Sequence, residues 1–171
     1  MTVSPAHSGS SHSAPGLTSA IVGAWRLEST LQRLADGTVR PSPLYGPKGV
    51  GYLIYSASGY MAAMLADPRR RHWSSEDRPT ESELRAIHDH FIAYCGRYEV
   101  DEQEGLVVHH LELHVTPNYS ENVLTRRASL EGNYLVLRPL ERELPPGILE
   151  YTLRWCRAER ASPPDTGKDD T

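Results

Sequence analysis

Val107-Val108-His109-His110-Leu111-Glu112-Leu113-His114-Val115 has two faces of opposite character. Side chains in a strand alternate between sides. Val107, His109, Leu111, Leu113 and Val115 therefore share one face, and Val108, His110, Glu112 and His114 share the other. The first belongs against a core and the second against water, as in an antiparallel sheet solvated on one side. The stretch reads as a β-strand that carries one imidazole, that of His109, into an apolar interior.

Outward from this strand, roughly eight strand-like segments follow one another, most of them bounded by turn residues. They cover 22–33, 51–56, 60–65, 94–100, 106–115, 123–130, 134–138 and 148–157. Short turns at Ala57-Ser58-Gly59, Asp101 to Gly105 and Glu131-Gly132-Asn133 join several of them as antiparallel hairpins in chain order. A meander of this length predicts an all-β, eight-stranded antiparallel barrel, which removes both sheet edges and can hold one small ligand. One segment breaks the pattern. Thr80-Glu81-Ser82-Glu83 has the form of a capping box, and Leu84, Ile87 and Phe91 follow at helical spacing. This predicts a short helix between the third and fourth segments, placed to close one mouth of the barrel. The Arg- and Ser-rich stretch from Asp67 to Pro79 would form its rim. His88 and His90, two apart on that helix, point to different sides and do not chelate together.

Composition sets the outer limits. The chain has 171 residues, 39% of them hydrophobic, with a net charge of −4. That predicts one domain with a real core, and neither a membrane span nor a nucleic-acid-binding surface. Arg69-Arg70-Arg71, beside Pro68, reads as a solvated loop rather than a phosphate site. Residues 1–19, rich in Ser, Pro, Gly, Ala and His, lack the apolar core of a secretory signal and the Arg-rich pattern of a transit peptide. They are expected to be a disordered tail, as are residues 159–171, leaving the domain at 20–158. Cys95 and Cys156 have no metal-type spacing, so free thiols and a cytoplasmic location are expected. A homo-oligomer is one of the assemblies this composition allows.

Matching apolar face to apolar face suggests strand registers. Tyr94, Gly96, Tyr98 and Val100 then share a side with Val107, His109 and Leu111, with Gly96 opposite His109. In the next segment Leu124, Arg126, Ala128 and Leu130 make the more apolar face, which turns Arg126 inward, diagonal to His109. Leu149, Tyr151, Leu153 and Trp155 line the last segment, and Trp25, Leu27 and Leu31 the first. Segments 51–56 and 60–65 are apolar on both sides, and their faces stay undecided. The interior becomes an apolar cup holding His109 and Arg126 among tyrosines. A buried arginine needs an anion, and Glu99 or Glu112 at a rim, water or a ligand oxygen are the candidates. The nine tyrosines against one phenylalanine suit such a cup, since tyrosine gives an apolar wall with a hydrogen-bonding tip.

The chain resembles the bacterial and fungal lipocalin-like domain family, a distant relative of the lipocalins. The resemblance rests on Gly23-Ala24-Trp25-Arg26, Gly51-Tyr52-Leu53-Ile54-Tyr55, Gly59-Tyr60-Met61 and Gly96-Arg97-Tyr98-Glu99-Val100-Asp101. Val108-His109-His110, Pro117-Asn118 and Leu153-Arg154-Trp155-Cys156-Arg157 continue it. It runs from about Ile21 to Arg157. Cys95 replaces a usual serine and Tyr119 a usual tryptophan. The resemblance implies an antiparallel barrel with a small-molecule cavity. It also implies that Trp25 packs under Arg157 in a structural cation–π stack that plugs one end.

No Gly-x-Ser-x-Gly elbow, phosphate loop or dinucleotide fingerprint is present, so no cofactor is expected. Gly46-Pro47-Lys48-Gly49-Val50-Gly51 lacks the helix that such loops precede. Met61 and Met64 read as wall. His110 and His114 share a face but stand about 13 Å apart along a strand, too far for one metal. Two functions fit. One is a cofactor-independent isomerase, cyclase or dehydratase acting on an apolar polyketide- or terpenoid-like intermediate. His109 and Arg126 would be its catalytic pair, and Tyr94, Tyr98, Leu111, Tyr151, Leu153 and Phe91 its ligand-binding wall. The other is a carrier that binds the same class of compound without changing it. A barrel filled by its own side chains is the third, blander arrangement.

Overall fold

The computed structural model describes residues 16–158. Nine strands form one antiparallel sheet: β1 (Gly23–Leu34), β2 (Val39–Pro41), β3 (Val50–Tyr55), β4 (Tyr60–Ala66), β5 (Phe91–Asp101), β6 (Leu106–His114), β7 (Val123–Glu131), β8 (Tyr134–Pro139) and β9 (Ile148–Arg157). From β3 onward each strand pairs with the next in chain order. β1 pairs with both β3 and β9, which closes an eight-stranded barrel. The short β2, with no apolar alternation to announce it, folds back on the end of β1 and stays outside the ring. The barrel and its inserted helix agree with the sequence. The core packs around Trp25, Leu53, Tyr55, Val107, Leu135 and Trp155, each at most 2% exposed.

Helix α2 (Glu81–His90) lies between β4 and β5, the third and fourth strands of the barrel. Its capping box is complete. The Thr80 hydroxyl accepts from the Glu83 N–H, and the Glu83 carboxylate accepts from the Thr80 N–H at 2.6 Å. Phe91 follows the helix directly as the first residue of β5. A second helical turn, α1 (Leu17–Ala20), corrects the expected tail boundary at residue 19. The Leu17 and Thr18 N–H groups donate to the Glu102 carboxylate at 2.8 and 2.7 Å, which ties this turn to the domain. The expectation of disorder for 1–15 and 159–171 falls outside the described residues.

The end beside α1 is plugged as expected for this architecture. The Arg157 guanidinium sits 4.0 Å over the Trp25 ring and donates to the carbonyls of Val22 (3.1 Å) and Ala20 (2.5 Å). Trp25 in turn donates its indole N–H to the Ile21 carbonyl at 2.8 Å. The guanidinium thereby closes carbonyls that strand pairing leaves open.

Two bulges correct the expected faces. In the β5–β6 pair, Tyr98 and not Gly96 stands opposite His109. Gly96 faces Leu111 and Cys95 faces Leu113, so Glu112 is an extra residue. A bulge reverses the alternation beyond it. Leu113, expected in the core, is 67% exposed, and His114, expected outside, turns to the interior. Gly96 is needed for this geometry, since a Cβ there would lie 2.0 Å from the His110 carbonyl oxygen. In β1 the register against β9 shifts between Leu27 and Ser29. Beyond it Thr30 and Gln32 are buried, while Leu31 is 39% exposed. Leu149, expected to line the last strand, is also exposed. The undecided strands are settled by packing. Leu53, Tyr55, Met61, Ala63 and Leu65 face inward, and Tyr52, Ile54, Tyr60 and Met64 remain on the outer surface.

Candidate functional site

The barrel encloses a cavity of about 500 Å³ whose wall includes both ionisable residues predicted from sequence, His109 and Arg126. This is within the usual range for a small-molecule site. The exposed end is framed by His88 on α2, Tyr119 in the short turn Pro117–Tyr119, and Leu144 and Pro145 before β9. The helix thus sits where the sequence placed it, at a mouth.

His109 reaches the interior by the alternation that put Val107 and Leu111 there, and it is 1% exposed. Its Nε2 lies 2.7 Å from the Tyr55 hydroxyl, and its Nδ1 has no partner among the described residues. Tyr55 is buried, and among the described residues that imidazole is the one partner of its hydroxyl. Tyr55 therefore donates to Nε2, because the reverse arrangement would strand both its own proton and the Nδ1 lone pair. The neutral ring then carries its proton on Nδ1. Burial pushes the imidazole pKa down to about 3, and the charges of Arg126 and His110 push the same way. At neutral pH the imidazole is therefore uncharged. His109 thus carries a neutral N–H on Nδ1 that has no partner among the described residues.

Arg126 stands opposite Val107 and two residues along β7 from Leu124, the partner of His109, so the predicted diagonal holds. Its anion is neither Glu99 nor Glu112. Those carboxylates sit on the outer face, with His110 at 3.5 Å and Arg97 at 3.0 Å. The partner is Glu143, from the short turn Glu141–Glu143, which accepts from Arg126 Nη1 at 2.5 Å. The other Glu143 oxygen accepts the Thr125 N–H at 3.0 Å. The pair is mostly buried, so the guanidinium enters the cavity already neutralised.

Of the predicted binding wall, Phe91, Tyr94, Leu111, Tyr151 and Leu153 line the cavity. Tyr98 does not. It packs edge-on against Tyr55 and donates its hydroxyl to the Ser56 carbonyl at 2.9 Å. Among the wall residues that carry no signal in strand periodicity are Gln32, Tyr45, His114 and Glu143. Gln32 and His114 are turned inward by the two bulges. Tyr45 and Glu143 arrive on connections between strands. The His114 ring stacks on Tyr94 at 6.0 Å and accepts the Thr116 N–H on Nδ1 at 2.9 Å. Burial raises the pKa of Tyr45, Tyr55, Tyr94 and Tyr151, so each keeps its phenolic proton.

The lining therefore presents apolar surface, neutral hydrogen-bonding groups and one internally paired ion pair. Such a wall favours a ligand without formal charge. Among the described residues, no group of three or more His, Cys, Asp or Glu side chains is placed to hold a metal ion. Cys95 and Cys156 are free thiols, and no described helix is long and apolar enough to cross a membrane.

A family model described as a lipocalin-like domain matches residues 22–155, most of the chain. No curated protein and no solved structure matches.

Proposed function

The chain belongs to the lipocalin-like domain family, and we propose that it binds an uncharged, largely apolar small molecule bearing oxygen groups, such as a polyketide- or terpenoid-like intermediate. One observation carries this reading: His109, whose Nδ1 has no partner among the described residues, lies in the wall of a 500 Å³ cavity whose ion pair is already neutralised. A ligand carbonyl or ether oxygen would satisfy that N–H. The tyrosine-rich wall supports binding of flat or ring-shaped apolar bodies.

A second reading is catalytic: a cofactor-independent isomerase, cyclase or dehydratase. The specific observation in its favour is the neutral imidazole beside Arg126. A buried, neutral N–H aimed at a carbonyl polarises it and stabilises the enolate-like charge that develops on oxygen. In this role His109 donates a hydrogen bond and does not shuttle a proton, since its pKa of about 3 makes it a weak base. Arg126 would add positive potential to the same oxygen. Binding is the function the geometry supports best, and catalysis is an added step on the same site.

The experiment is extraction of small molecules from protein purified out of its native host, identification by mass spectrometry, and re-incubation with fresh protein. A bound apolar, oxygenated compound returned unchanged supports binding. Conversion to an isomer or dehydrated product that is lost in His109→Ala establishes catalysis. An empty extract, with no uptake of apolar compounds by the purified protein, would overturn both.

A further inference from the structure

Around the Gln32–Tyr151 pair of β1 and β9, three buried polar side-chain atoms have no hydrogen-bond partner among the described residues: Gln32 Oε1, Ser42 Oγ and Tyr151 Oη. Gln32 and Tyr151 are directly opposite each other in the strand pair, and both line the cavity. Directly paired side chains on one face have Cβ atoms about 4.5–5.5 Å apart. Ser42, fully buried, is held beside them by its N–H, which donates to the Thr30 carbonyl at 3.0 Å. Its hydroxyl is close enough to favour ionisation of Tyr151, yet the two do not meet in a hydrogen bond of normal geometry. Gln32 is 4% exposed. Buried polar groups are nearly always paired, so three at one place need an explanation.

An apolar residue would serve the core better at position 32. Leu31 was available for it, and the bulge in β1 turns it out and Gln32 in. The corner has one obligate acceptor, Gln32 Oε1, one obligate donor, the Gln32 amide NH2, and two hydroxyls able to donate or accept. It holds no cation, and Arg126 is already bound to Glu143. A carboxylate or phosphate would enter without a counter-charge. An ether or ketone can accept from the hydroxyls but leaves the Gln32 oxygen unpaired. A hydroxyl can both donate to that oxygen and accept from these donors.

We infer that this corner recognises a neutral hydroxyl group on the ligand, a phenol or alcohol that donates to Gln32 Oε1 and accepts from Tyr151 or Ser42. The inference rests on the binding reading and narrows it to hydroxylated apolar compounds.

Four probes of one shape test it by calorimetry on the full chain: naphthalene, 2-methoxynaphthalene, 2-naphthol and 2-naphthoate. The expected result is 2-naphthol binding about tenfold more tightly than 2-methoxynaphthalene, the scale of one buried hydrogen bond lost, with 2-naphthoate weakest. In Gln32→Met that preference should collapse to within about twofold. The melting temperature of this variant should stay level or rise, since an unpartnered acceptor leaves the core. Tyr151→Phe should reduce the preference in the same direction and provides a second variant should Gln32→Met fold poorly. Equal binding of 2-naphthol and 2-methoxynaphthalene, or an undiminished preference in both variants, would overturn the inference and leave the binding reading intact. No binding of any of the four would instead strike at the binding reading itself.

Discussion

The Tyr55 hydroxyl donates to Nε2 of His109 across 2.7 Å, and this one bond sets which nitrogen of the imidazole carries the proton. β3 and β6 contribute the two residues, so neither strand alone specifies the tautomer. Tyr55→Phe should leave the Nε2 lone pair unpaired in the core and lower stability by about 1–3 kcal/mol. Chemical denaturation measures the loss. Nitrogen NMR of the ring should report the proton on Nδ1 in the parent protein, and a proton on Nε2 there would refute the assignment.

The same ring makes stability depend on pH. Its folded pKa is about 3 against an ordinary value of 6.5, so between those values the unfolded chain binds a proton that the folded chain refuses. Stability is fully present above about pH 6.5 and falls as pH drops towards 3. One pKa unit corresponds to about 1.36 kcal/mol, which puts the full effect on the order of 5 kcal/mol. Asp67 and Glu83, both held to about 2 by hydrogen bonds to their carboxylates, add a further loss in more acidic solution. His109→Gln keeps an acceptor for Tyr55 and does not titrate. Subtracting its stability curve from the parent's should leave a slope confined to pH 3–6.5, and parallel curves would refute the depressed pKa.

Arg126 and Glu143 form a mostly buried pair, and breaking it from one side strands a charge. Arg126→Met should destabilise by about 3 kcal/mol. Arg126→Met with Glu143→Gln removes the stranded anion while keeping an acceptor for the Thr125 N–H, and should recover more than half of that loss. Urea midpoints of the two variants decide the matter. Equal midpoints would mean that the carboxylate is solvated and the pair contributes little.

Arg157 holds one end shut by geometry as well as charge. Lysine keeps the charge over Trp25 but cannot reach the Val22 and Ala20 carbonyls with a planar fork. Arg157→Lys should therefore cost about 1–2 kcal/mol, mainly through the two carbonyls it leaves unpaired. A melting temperature unchanged within error would show that the stack alone suffices.

What was legible in the chain follows from period-two alternation and turn chemistry. Val107, His109 and Leu111 announce an inward strand face, Thr80 and Glu83 announce the start of a helix, and the hairpin turns order the strands into a closed meander. These are local effects, decided by residues a few positions apart. They carried His109 and Arg126 to the cavity wall, together with five of the six residues proposed to contact the ligand.

Tertiary structure decided the rest. A bulge adds one residue to one strand and leaves no periodic trace, yet it reverses every side chain beyond it. Leu113 went out and His114 came in at Glu112, and Leu31 was exchanged for Gln32 after Leu27. The partner of Arg126 came from a turn 17 positions away, because the nearer candidates Glu99 and Glu112 face the other side of the sheet. Whether His109 titrates near neutrality was likewise settled by barrel closure. Desolvation depends on everything packed around the ring, and no single stretch of sequence contains that.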